Sequence, residues 1–267
     1  MRHIPYLFLL LLIPAGAQAK EPVIPLPTGL NAAETATVVK VVDGDTVVLN
    51  TGKEVRLVGL QAPKLPLGRK GFKIWPLAPE AKAALERITL NRKLRLHYGG
   101  RRTDRHRRIL AHLEDVKTGR WIQGRMLADG MARVYTFKDN RAVVGAMLTL
   151  ERRARVDRRG IWRNRYYRIR QADAAARDIG SFQLIEGKVR TVATPRNITY
   201  LNFGADWRSD FTVMLRGATR KALAKAGMSV ESLKGKRLRV RGWVKSRNGP
   251  MIEATHPEQI ELLPDRR

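Results

Sequence analysis

From residue 36 the chain sets short β-branched runs between turn residues. Ala36 to Val42 and Thr46 to Leu49 flank Asp43-Gly44-Asp45, and Glu54 to Leu60 follows the turn Asn50-Thr51-Gly52-Lys53. Runs of this kind suit a half-buried pleated surface, so the pattern predicts a hairpin-rich meander of three strands. Pro79-Glu80-Ala81 then opens a helix to about Thr89, with proline early and glutamate in the first turn where the helix dipole favours it. Arg92 to Tyr98 and Ile109 to Asp115 predict two further strands. Helices follow at Trp121 to Ala128, stopped by Gly130, and at Arg141 to Val156, stopped by Gly160. Pro63 to Pro79 is a long loop carrying Lys64, Arg69, Lys70 and Lys73, of the length that is usually functional or mobile.

Beyond Trp162, residues 164–180 predict a basic linker helix. A second set of elements occupies 181–264: strands at Gln183 to Val192, Asn197 to Phe203 and Asp210 to Leu215, a helix at Arg220 to Ala226, and strands at Arg237 to Val244 and Met251 to Leu262. Before all of these, Met1-Arg2-His3, the apolar run Tyr6 to Ile13 and Ala17-Gln18-Ala19 predict a secretory signal peptide over 1–19. The apolar run is about half the roughly 20 residues a membrane span needs. The expectation is therefore an exported protein, periplasmic or secreted.

Composition changes this picture in two ways. With no cysteine, disulfides and thiolate metal sites are excluded, so any metal must sit on oxygen or imidazole. Lys+Arg 52 against Asp+Glu 24 gives a net charge of +28, which predicts a polyanionic partner. Nucleic acid, anionic lipid and acidic polysaccharide all satisfy that charge. One arginine cluster holds Arg101, Arg102, Arg105, Arg107 and Arg108. A second run, Arg152 to Arg170, reads as the solvated face of a helix. His106 reads as an exposed spacer. In the second region Tyr200, Phe203, Trp207, Phe211 and Trp243 are candidate base-stacking groups, half of them expected in the core. Arg237, Arg239 and Arg241, alternating along one strand, are expected on an exposed face as phosphate contacts.

Five short strands with an inserted helix make an oligonucleotide-binding (OB) type barrel, and the elements of 181–264 repeat that order. Val41-Val42-Asp43-Gly44-Asp45-Thr46, Arg56-Leu57-Val58-Gly59-Leu60-Gln61-Ala62-Pro63, Arg102-Thr103-Asp104-Arg105-His106-Arg107-Arg108 and Gly160-Ile161-Trp162 resemble, in order and spacing, the staphylococcal nuclease (thermonuclease) family over about 35–163. The fold expected is α+β, mainly β: a staphylococcal-nuclease-like OB barrel followed by a second OB-like barrel.

The resemblance implies a calcium-assisted nuclease of DNA or RNA, a phosphodiester hydrolase. Asp45 matches a calcium ligand, and Arg56 and Arg108 match the two arginines that grip the phosphate as charge develops. Gln61 and Lys64 stand where the family has a second calcium ligand and the carboxylate that activates water. The charges of Asp45, Gln61 and Lys64 cancel, and calcium needs 6–8 oxygen ligands with substantial negative charge. An ammonium at Lys64 accepts no proton from water. Asp43 and Asp104 read as turn residues, Glu54 as an ion-pair partner of Arg56, and Glu80 as serving its helix.

The expected protein thus binds nucleic acid, single-stranded DNA or RNA, with phosphate contacts from Arg56, Arg108, Arg102 and Arg105. Phosphodiester cleavage at Arg56, Arg108 and Lys64 is weak or absent, and calcium binding through Asp45 and Gln61 is weakened. An active endonuclease is the first alternative. An envelope protein binding anionic lipid or polysaccharide is the second.

Overall fold

The computed structural model describes residues 22–264, so the predicted signal peptide at 1–19 lies outside the described residues. The first barrel closes from β1 (Asn31–Asp43), β2 (Thr46–Leu49), β3 (Glu54–Leu57), β5 (Lys93–Tyr98) and β6 (Ile109–Asp115), in the order β1-β2-β3-β6-β5. Only β3 and β6 pair in parallel. The predicted strand Glu54 to Leu60 is broken: Gly59 at φ 84° turns the chain, and β4 (Leu60–Gln61) leaves the barrel to pair with β7 (Arg133–Val134). Inward side chains such as Val38, Val47, Leu57, Leu94 and Leu113 build the core, closed by α1 (Ala78–Thr89) and α2 (Ile122–Ala128). The third helix, α3 (Val144–Val156), packs outside the barrel on α2 and β7.

The stretch 164–180 corrects the helical-linker expectation. It consists of 3-10 turns at Arg165–Tyr167 and Ala172–Asp178 around a two-residue strand, β8 (Arg170–Gln171). The Asn164 side chain caps the first turn from Tyr166 N–H, and Arg170 is held by Asp178 and by the carbonyl of Tyr166. Those local bonds compete with a continuous helix, and β8 adds itself in parallel to the next domain's sheet.

The second region holds β9 (Phe182–Lys188), β10 (Thr191–Ala193), β11 (Ile198–Asn202), β12 (Thr212–Arg216), α4 (Gly217–Lys225), β13 (Arg237–Trp243), β14 (Lys245–Ser246), β15 (Pro250–Ala254) and β16 (Ile260–Leu263). Its strands form two sheets, β10-β11-β12-β15-β14 and β16-β13-β9-β8. If β9–β10, β13–β14 and β15–β16 are read as three broken strands, the neighbour order repeats that of the first barrel. The parallel pair recurs as β12 with β15.

A buried ion network fastens the two units. Arg241 on β13, 1% exposed, bonds both carboxylate oxygens of Glu151 on α3 at 2.9 and 3.0 Å and Glu261 on β16 at 2.5 Å. Arg155 joins the same carboxylates, while Arg239 bonds Glu186 and Glu261. The expected exposed phosphate face of Arg237, Arg239 and Arg241 is thereby overturned. The three do share a face, but Arg241 is covered by α3, and carboxylates from the other elements occupy the guanidinium donors. His256 bonds Thr136 and Arg141 bonds Glu258 across the same boundary.

Removing Glu151 strands Arg241 without water or its strongest partner, so Glu151→Ala should cost about 3–5 kcal/mol in denaturant unfolding. Two histidines add a pH dependence. Burial pushes His112 down to about 3 and His256 down to about 4, below the unfolded value of 6.5, so each stays neutral when folded. Unfolding takes up their protons, so their stabilisation is complete above pH 6.5 and is lost as pH falls towards 4 and below. Glu261 follows at lower pH. Burial raises its pKa, but Arg241, Arg155 and Arg239 outweigh that and hold it at about 2, so its contribution is lost below about 4.5. Thermal melts should therefore fall from pH 6.5 downwards, and His256→Asn should flatten the upper part of that fall.

Candidate phosphate-binding site

The site is built on the β1–β2 hairpin. Gly44 lies so close to its surroundings that a Cβ there would meet Ala62 at 2.7 Å and Ala81 at 2.9 Å, so the turn is pressed against α1 and the residue that follows β4. Asp43 bonds the Asp45 N–H at 3.0 Å, as expected of a turn residue, and the geometry drives Asp45 inward to complete burial.

Three groups then converge on Asp45. Ala62 N–H donates to Oδ2 at 2.8 Å, Lys64 Nζ bonds Oδ1 and Oδ2 at 2.8 and 2.7 Å, and Arg56 ion-pairs with Oδ1. Arg56 is fixed further by the carbonyls of Asp45 and Leu60, at 3.1 and 3.0 Å. Glu54, expected to pair with Arg56, stays exposed instead, because the guanidinium turns towards Asp45. Burial alone would raise the Asp45 pKa, but Arg56 and Lys64 together hold it well below the usual carboxylate range. Asp43, also in reach of Lys64 at 3.3 Å, is pushed up by burial and by the charge on Asp45.

Gln61 is taken out of this group. Its Oε1 accepts from Arg133 Nε and Nη2 at 3.0 and 2.8 Å, and Arg133 lies buried with its guanidinium 4.8 Å from the ring of Phe182. The expected calcium ligand therefore points its only amide oxygen at a cation. With both oxygens of Asp45 engaged by cations and a backbone N–H, this donor set does not fit a calcium ion. Among the described residues no group of three or more His, Asp or Glu side chains is placed to hold a metal ion.

The cationic side of the arrangement is open. A cavity of about 610 Å³ is lined by Arg56, Lys64, Arg101, Arg105 and Arg108, with Tyr135, Phe137 and Trp243 along its edge. Arg108 is oriented by Asp104, which accepts from its Nε at 2.8 Å while bonding the turn amides of His106 and Arg108. Arg105 reaches the cavity and bonds the exposed His106. Arg102 does not line it: its guanidinium lies 4.7 Å from the Tyr98 ring. Sequence reasoning had Arg101 within its arginine cluster but missed Tyr135, Phe137 and Asn140 as wall residues and Arg133 as the partner of Gln61. Trp243, donating to the Tyr135 hydroxyl at 2.9 Å, brings the second domain to the rim. Five cations against Asp104 and Asp139 make a cationic surface whose fixed donors suit phosphate oxygens.

The chain is thus α+β, with a closed five-strand barrel of the OB type and an arginine-lined cavity beside β3. Residues 54–164 match the family model described as staphylococcal nuclease homologue. The chain is 28% identical over 135 residues to the thermonuclease of Staphylococcus hyicus, covering 49% of this chain and 77% of that protein. These likenesses fall on the first barrel and support its relation to the staphylococcal nuclease family.

Asp45→Asn removes the charge that balances two partly buried cations, so it should lower unfolding stability by about 3 kcal/mol or more in urea. Glu54→Gln, on the exposed edge of the same hairpin, should change it by no more than about 0.5 kcal/mol.

Proposed function

We propose that the protein is an exported nucleic-acid-binding member of the thermonuclease-like family, which grips single-stranded DNA or RNA through the phosphate pocket of its first barrel and cleaves it weakly or not at all. The observation that carries the reading is Lys64 Nζ on Asp45, at 2.7 and 2.8 Å from its two oxygens. An ammonium sits against the carboxylate to which the family resemblance assigns a metal. A positive group there adds attraction for a phosphodiester and removes the two services hydrolysis needs, a cation-binding carboxylate cluster and a base for water. Arg56 and Arg108 remain available to phosphate oxygens, one held by backbone carbonyls and the other by Asp104. Their shared cavity also supports the rival reading, an active endonuclease. Export is proposed from the pattern of residues 1–19, and N-terminal sequencing of protein recovered from its own cells should then begin at Lys20.

The test is digestion of denatured DNA and of RNA, with calcium and with chelator, beside binding measured at several salt concentrations. The expected result is no calcium-dependent cleavage above that of the Arg56→Ala, Arg108→Ala protein. Binding should weaken roughly 10- to 100-fold in that double variant, as charge-assisted hydrogen bonds are lost. The log–log salt slope should shrink by about 0.7 for each single-strand phosphate contact removed. Calcium-dependent cleavage that disappears in the double variant would establish the endonuclease instead. Equal salt-sensitive binding to anionic liposomes or acidic polysaccharide would favour an envelope role.

A further inference from the structure

The outer face of the second domain's five-stranded sheet, β10-β11-β12-β15-β14, is not the wet surface that strand alternation prescribes. Leu201, Val213 and Ile252 point into the core of this domain. Their neighbours on the other face line up across the strands: Asn202 opposite Thr212, Thr212 opposite Met251, and Tyr200 opposite Met214. These residues should be solvated, yet Met214 is 1% exposed, Met251 3% and Asn202 8%. The loop carrying Trp207 and the β14–β15 turn carrying Arg247 close over them, and a cavity of about 330 Å³ remains between cover and sheet. That volume lies at the lower end of small-ligand sites, roughly 300–1,000 Å³.

We propose that this cavity is a second nucleic-acid site, one that takes a single unpaired nucleobase between Trp207 and the outer face of β11 and β12. The walls supply what a base requires. Met251 and Tyr200 give an apolar floor and side, and Trp207, half exposed, gives a stacking plane. Asn202 presents a partly used amide. Its Oδ1 accepts from Thr212 at 3.1 Å and its Nδ2 donates to Thr191 at 3.1 Å, leaving one N–H and one lone pair for a base edge. Arg247 lines the cavity, and the Arg208 guanidinium lies over the Trp207 ring at 4.7 Å, so two cations flank the pocket. A neutral sugar would also stack on Trp207 but would gain nothing from those cations. The site lies on the face of strands two and three, where barrels of this topology bind oligomers. The inference rests on the nucleic-acid reading of the chain but not on the pocket of the first barrel.

The experiment compares an oligothymidylate of about 12 residues with an abasic strand carrying the same number of phosphates, using the full protein with Arg56→Ala and Arg108→Ala in place. Oligothymidylate should bind roughly 5- to 100-fold more tightly than the abasic strand, the range that stacking one base provides. Trp207→Ala should erase the difference and Trp207→Phe should restore most of it. Equal affinity for the two strands, a preference unaffected by Trp207→Ala, or displacement of the oligonucleotide by a neutral glucan would each overturn the proposal. The two readings fail separately. If the arginine changes leave total affinity untouched while Trp207→Ala removes the base preference, the first-barrel pocket is wrong and this site stands. If the arginine changes weaken binding and Trp207→Ala does nothing, the reverse holds.

Discussion

A carboxylate with no access to water must find positive charge or give up its own, and Asp45 finds it twice. Buried under the β1–β2 turn, it is charged because Arg56 and Lys64 are there, and those two cations are ordered because Asp45 is there. The geometry around it follows from this constraint. Arg56 turns across β3 instead of pairing with its strand neighbour Glu54, and Lys64 anchors the start of the long loop after β4. A divalent cation would compete with two covalently attached ones, and those are already in place with short, multiple contacts. The same arrangement leaves guanidinium and ammonium groups along a cavity wall, and the proposed phosphodiester contacts rest on that wall.

The second buried network, around Arg241 and Glu151, holds the two barrels together. Glu151 also accepts from the Val134 N–H, so one carboxylate ties α3, β7 and β13 together. Arg133, next to Val134 on β7, is the residue that withdraws Gln61 from Asp45. The position of the second domain and the chemistry of the first pocket are therefore linked through a two-residue strand. Trp243 reaching the rim of the cavity is a consequence of that docking.

The elements of both domains were legible because β-branched runs and turn residues carry their own period, and the family motifs gave Asp45, Arg56 and Arg108 their places. What the sequence hid were partners distant along the chain. Alternation puts Arg237, Arg239 and Arg241 on one face but cannot say that a carboxylate from α3, some 90 positions earlier, covers it. Gln61 and Arg133 are 72 positions apart, and neither carries a local signal of the other. The linker misled for a different reason: its Ala- and Arg-rich composition favours helix, but Asn164 and Arg170 satisfy the backbone locally and leave only 3-10 turns. Phe203 and Phe211 went to the core and Trp207 and Trp243 to the surface, a division that depends on which face of the sheet a loop folds over.

On the reading proposed above, Lys64 and a withdrawn Gln61 put a phosphate site where the family resemblance places calcium. Calorimetric titration with calcium tests it most directly, on the unaltered protein and on the Gln61→Asp, Lys64→Glu variant. No saturable heat is expected at millimolar calcium for the former, and a measurable single-site isotherm is expected for the latter. Saturable calcium binding by the unaltered protein, abolished by Asp45→Asn, would contradict it.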